Sequence, residues 1–188
     1  MTTLSKLSQM FAAAVLMMGA VFLLSLNPAS AQVACPVGAI VNAGLPTING
    51  DHIFCGEIDG NVKGFHSRPG GVNPTNAGIA NVVITAAANA MGVYNISFDK
   101  NGQHKTISTM FPDSCSRQEV VNSILYAEAN HDACPAGAQH WATCGWNRPD
   151  PVLATQGPYC EGDDPDNRFH VQFGLLGNGT INTAFPVR

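Results

Sequence analysis

Charged residues are scarce in this chain, nine Lys and Arg against thirteen Asp and Glu in 188 residues. No basic stripe stands out, which excludes a protein that grips nucleic acid by neutralising a long row of phosphates. Contact with RNA, if made, must be local, a few nucleotides held at one site with little salt dependence. Beyond the first 31 residues no apolar run is long enough to cross a bilayer. There is no Cys-x-x-Cys pair, so the usual zinc-module spacing is missing, and Cys134, His140 and Cys144 rank as a donor set well behind disulfides. Neither an internal repeat nor a low-complexity tract occurs, and the length suits a leader followed by one domain with its own core.

What is present begins with that leader. One Lys, an apolar run from about Met10 to Leu26, Pro28 and the triplet Ala29-Ser30-Ala31 read as a secretory signal peptide over residues 1–31, with cleavage before Gln32. The expected mature chain is exported, secreted or periplasmic, free of the membrane and mildly acidic. All six cysteines, Cys35, Cys55, Cys115, Cys134, Cys144 and Cys160, follow the cleavage site. An even number in an oxidising compartment suggests up to three disulfides, whose pairing cannot be read from the sequence.

Residues 32–48 read as a Gly- and Pro-rich strap, and residues 49–188 as the domain. His52 to Ile58 and Val62 to Ser67 form an expected hairpin about Asp59-Gly60-Asn61. Val82-Val83-Ile84 is a candidate buried strand. A second hairpin runs from Val93 to Phe98 and returns from Gln103 to Met110. Ser116 caps a helix toward Asn130, with Glu119 at its third position and Val120, Ile124 and Leu125 on one face. Residues 131–168, rich in Pro, Gly, Cys and Trp, read as a stapled irregular insertion, in which Trp141 and Trp146 pack. His170 to Leu176 and Thr180 to Val187 make a closing hairpin. The fold class is α+β.

The chemistry concentrates in the first hairpin. If its loop has three residues, positions summing to 120 face each other, and His52 and His66 share one face. Two imidazoles in one cleft can take a proton from an attacking 2′-hydroxyl and give one to a departing 5′-oxygen. Lys105, on the second hairpin, could neutralise the extra charge at phosphorus. Strand alternation puts Ile107 and Thr109 on its face, and Thr109 then offers a hydroxyl to a base edge.

His52-Ile53-Phe54-Cys55-Gly56-Glu57, Gly64-Phe65-His66, Lys105-x-x-x-Thr109 and Asn182-Thr183-Ala184-Phe185-Pro186 together resemble the motifs of the EndoU endoribonucleases, in order and spacing. The resemblance implies two small antiparallel sheets with flanking helices and a site in the groove between them. It implies that His66 is the general base, His52 the general acid and Lys105 the charge stabiliser, and that Thr109 hydrogen-bonds uracil. Thr183 would support the site and Phe185, where many relatives have Tyr, would stack on the base. The implied reaction cleaves uridine-containing single-stranded RNA to a 2′,3′-cyclic phosphate.

Some animal members of that family need manganese, with acidic residues beside the first His. Asp51 and Glu57 hold those positions here; no metal is assigned and no cofactor is required. The expected protein is a monomeric exported endoribonuclease acting as a toxin or a scavenger, and no immunity partner is named by the residues. The alternative is a secreted module that kept the fold and binds RNA or a protein without cleaving.

Overall fold

The computed structural model describes residues 31–151 and 158–188; the leader read from the sequence lies outside them but for its last residue, Ala31. In chain order the elements are β1 (Ala39–Ile40), β2 (Ile48–Asn49), α1 (Gly50–Phe54), β3 (Glu57–Asp59), β4 (Asn61–Lys63), β5 (Ile79–Ala86), β6 (Tyr94–Lys100), β7 (Gln103–Met110), α2 (Arg117–Ala129), β8 (His131–Asp132), β9 (Thr143–Trp146), β10 (His170–Leu175) and β11 (Ile181–Pro186). They form an α+β fold with three sheets: six strands in the order β1-β2-β11-β10-β9-β8, three in the order β5-β6-β7, and the hairpin β3-β4.

Two features depart from the expected pair of small antiparallel sheets. The larger sheet has six strands, and β2 runs parallel to β11 through Ile48 and Ile181. The additional strands come from the strap, which supplies β1 and β2, and from residues 131–168, which supply β8 and β9. Strands of two residues are too short to leave an alternation in the sequence.

Helix α2 starts as read, with Ser116 Oγ accepting from the Glu119 N–H and Glu119 accepting from the Ser116 N–H. Its buried face, Val120, Ile124 and Ala127, joins Val171, Phe173, Ile181 and Ala184 of the large sheet in the main core. Each large side chain fully buried there contributes about 1.5–3 kcal/mol. Gly145 is what lets β9 pass close beneath the helix, since a Cβ there would stand 2.2 Å from the Ala127 carbonyl oxygen. A second, smaller core of Phe65, Tyr94, Ile96, Phe98 and Met110 lies under the three-stranded sheet. Val83 and Ile84 do form strand, within β5, but they are 57% and 63% exposed. That strand is an edge with little packed over it, so apolar character there does not report burial.

Three disulfides close the structure. Cys35–Cys55 ties the strap to the end of α1, Cys115–Cys160 ties the start of α2 to the chain beyond β9, and Cys134–Cys144 closes a loop within residues 131–168. Among the described residues no helix is long and apolar enough to cross a membrane.

Candidate active site

The hairpin β3-β4 has the register read from the sequence, Ile58 opposite Val62 and Glu57 opposite Lys63. The two histidines nevertheless lie outside it. His52 sits on α1, and His66 lies beyond β4, so strand parity is not what joins them. They meet because the chain after β4 runs back along the helix: the N–H groups of Phe65 and His66 donate to the carbonyls of His52 and Ile53, each at 2.7 Å. That approach demands Gly64, where φ is +69° and a Cβ would fall 2.1 Å from the His52 carbonyl oxygen. Phe65 follows with φ at +61°, a conformation unfavourable for an aromatic residue, and its fully buried ring anchors the turn in the smaller core. The imidazole centroids end 5.8 Å apart.

Lys105 reaches the same place from β7, but alternation fails there too. Phe98 faces Lys105 and Ile96 faces Ser108, so β7 carries a bulge and one residue more than its partner. Ser108, and not Thr109, therefore follows Lys105 on the inward face. The Lys105 ammonium donates to the Gly64 carbonyl at 2.7 Å and to Ser108 Oγ at 3.1 Å. Ser108 in turn donates to the Phe65 carbonyl at 2.7 Å. Thr109 presents its backbone carbonyl to His66 Nδ1 at 2.9 Å.

The nitrogens available for chemistry follow from these partners. A carbonyl only accepts, and Ser108 Oγ, 3.1 Å from the same nitrogen, gives its own proton to Phe65, so His66 Nδ1 carries the proton and Nε2 keeps a lone pair. His52 Nδ1 donates to Glu57 Oε2 at 2.8 Å, which leaves Nε2 as its free nitrogen as well. Burial lowers the pKa of His66 well below 6.5, and Lys105 and His52 push it the same way. Burial also lowers His52, but Glu57 opposes the shift. Lys105 is brought down to about 8 by burial.

From β11, Phe185 stacks on His66 with ring centroids 4.5 Å apart and planes 14° off parallel. The ring read as a platform for a base thus also braces an imidazole. Together with His52, His66, Lys105 and Thr109, the β11 residues Asn182, Thr183 and Phe185 line one cleft of about 430 Å³. All six residues singled out in the sequence meet there.

Two residues read otherwise join them. Trp141, expected to pack the stapled segment, is 48% exposed and lines this cleft with Gln139. Its indole leans over Gly174, where a Cβ would come within 2.9 Å of Cζ3. Only the proximity of Trp141 to Cys144 in sequence hinted at a fixed position. Ser108 was hidden by the bulge. A larger cleft of about 610 Å³ opens beside this one, around Asp51, Glu57, Asp59 and Lys100. Neither histidine lines it.

Two imidazoles with free Nε2 atoms, an ammonium group beside them and hydroxyls on the wall can relay protons across a phosphodiester, which is the equipment of a nuclease. The family model for bacterial EndoU nuclease matches residues 47–188, and the chain belongs to that family. No curated protein and no solved structure gives a significant match.

Proposed function

We propose that this nuclease is an endoribonuclease that cleaves single-stranded RNA at uridylates, leaving a 2′,3′-cyclic phosphate. The observation that carries the reading is the unlike setting of two imidazoles 5.8 Å apart. His66, the more strongly depressed of the two, is neutral at working pH and takes the proton of the 2′-hydroxyl at Nε2. The 2′-oxygen bonds to phosphorus, and the bond from phosphorus to the 5′-oxygen breaks. His52, whose imidazolium Glu57 favours, gives its Nε2 proton to that leaving oxygen. Lys105 stands by the charge that builds on the phosphoryl oxygens in between. The Phe185 face, stacked on His66, favours the imidazolium that forms there.

Thr109 and Thr183 are the hydroxyls offered to uracil, and Phe185 with Trp141 are the aromatic surfaces offered to bases. The reaction takes no metal ion in this reading. Asp51 is committed to the N–H groups of Val37 and Gly38, at 2.7 and 3.1 Å, and Glu57 to His52 and Asn49. Both carboxylates therefore have protein donors as partners. Three disulfides fit an exported protein that works in an oxidising compartment, as a toxin or a scavenger of RNA.

The test is to incubate the oxidised protein with a short RNA containing one uridine, beside His66→Ala, and to identify the product ends by mass spectrometry. Cleavage after the uridine with a cyclic phosphate, absent in the variant, is the expected result. An intact RNA, with or without manganese, would favour a binding module instead.

A further inference from the structure

His52 stands on a helix of five residues, too short to orient a side chain by its own stability. What orients it is a chain of polar contacts from another part of the fold. Asn49, at the end of β2, caps α1 by accepting from the His52 N–H at 3.2 Å. Its amide nitrogen donates in two directions, to Glu57 Oε1 and to Asn182 Oδ1, both at 3.1 Å. Glu57 then accepts from His52 Nδ1 with its other oxygen, at 2.8 Å. Asn182 reaches this chain because β11 bulges at it: Thr183 faces Gly174 while Ile181 faces Leu175, and Asn182 is left over.

The polarity along the chain admits one arrangement. Both protons of the Asn49 amide are used by acceptors, and its oxygen is used by a donor; the flipped amide would set oxygen against two oxygens and nitrogen against an N–H. Asn49 therefore fixes the backbone of His52 and the partner of its side chain together. We propose that Asn182, Asn49 and Glu57 form a positioning relay that holds His52 as the proton donor of the cleavage reaction. The inference rests on the acid and base assignment under Proposed function and goes beyond it by naming what sustains that assignment.

The charges around His52 agree with this. On its own helix Asp51 is turned to Val37 and Gly38. From β4 Lys63, from β7 Lys105, and from the adjoining loop His66 when protonated all oppose an imidazolium at His52. From β3 Glu57 favours it. The elements packed on His52 from β11 bring Asn182, Thr183 and Phe185, none of them charged. Removing the Glu57 charge thus leaves only groups that discourage protonation. A carboxylate kept for shape alone would be replaceable by an amide, whereas one that sustains a proton donor would not.

The experiment is a pH titration of the imidazoles by nitrogen-15 NMR on the full chain, wild type against Glu57→Gln and Asn182→Ala, beside kcat and KM on two substrates. One substrate is a uridine-containing RNA. The other is uridine 3′-(4-nitrophenyl) phosphate, whose leaving group departs without a proton. In Glu57→Gln the His52 titration should move to lower pH by about one unit. Its kcat on RNA should fall roughly ten- to a hundredfold with KM little changed, and the loss should largely vanish on the aryl ester. Asn182→Ala, which cuts only the far end, should shift His52 in the same direction with a smaller loss, and it carries the test if Glu57→Gln does not fold. An unmoved His52 titration, or an equal loss on both substrates, would overturn the relay. A wild-type protein that leaves RNA intact would sink the nuclease reading separately, while the titration still decides whether Glu57 governs His52.

Discussion

His52 and His66 face the same cleft, yet their rings rest on different partners, a carboxylate behind one and uncharged groups behind the other. His52 is fastened through side chains, by Glu57 and Asn49, at the boundary of the domain where a strap and a short helix meet. His66 Nδ1 meets the neutral Thr109 carbonyl and Ser108 Oγ, its N–H is on α1, its carbonyl on the Phe111 N–H, and the Phe185 ring stacks on its imidazole. Burial, Lys105 and His52 work against the charged His66 ring and outweigh the Thr109 carbonyl, which favours it. The comparison teaches that two chemically identical side chains acquire different proton affinities from what lies behind each ring, which is the basis of the separate duties proposed for them.

The strongest way to break the comparison is to remove the rings one at a time. His66→Ala should cost roughly a thousandfold in kcat on both RNA and an activated aryl ester, because the attacking hydroxyl needs its base in either case. His52→Ala should cost about as much on RNA and far less on the ester; equal losses would mean that the roles are shared or reversed. Next in size, Lys105→Ala should lower kcat by roughly a hundredfold, with KM much less affected.

The pH profile sharpens the same contrast. His66 must be neutral, so activity rises as pH climbs through its depressed pKa. His52 must be protonated, so activity falls as pH climbs through its own, which is also lowered from 6.5. The kcat/KM profile of the free enzyme should therefore peak on the acid side of 6.5, with a further decline as Lys105 loses its proton near 8. A maximum above pH 8 would contradict these assignments.

A smaller effect is expected at the cleft wall. Trp141→Ala should raise KM by about tenfold through lost stacking, with kcat nearly unchanged. Cys134 is exposed while its partner Cys144 and both members of the other two pairs are buried. A dithiol at low concentration should therefore open this loop first and raise KM in the same direction. Activity that persists fully in excess reductant would show that none of the three staples matters to the site.

The smallest effect should appear in stability. Between the lowered native pKa values and the unfolded value of 6.5, the unfolded chain binds protons that the folded histidines do not. Stability should thus fall as pH drops through the histidine range and level off below the native values, a trend that thermal melts can follow.

Much of the architecture was legible in the sequence, and the reasons are local. Ser116 and Glu119 announce α2 because a capping box is written in four adjacent residues, and the Asn101-Gly102 turn joins β6 to β7. The meeting of the six site residues was legible through motif spacing. The geometry behind it was not: Gly64 and Phe65 turn the chain by left-handed conformations, and both bulges, at β7 and at Asn182, shift parity. An inserted residue in a strand changes which side chain faces inward without changing composition, so Ser108 and Asn182 were hidden from alternation.

Asn49, Glu57 and Asn182 have a second exposure. All three line the neighbouring 610 Å³ cleft, and Asn182 lines the cleft of the histidines as well. A compound lodged in that cleft would touch the polar partners of His52 without meeting either histidine. If the proposed relay holds, such a compound should lower kcat more than it raises KM, which steady-state kinetics would read.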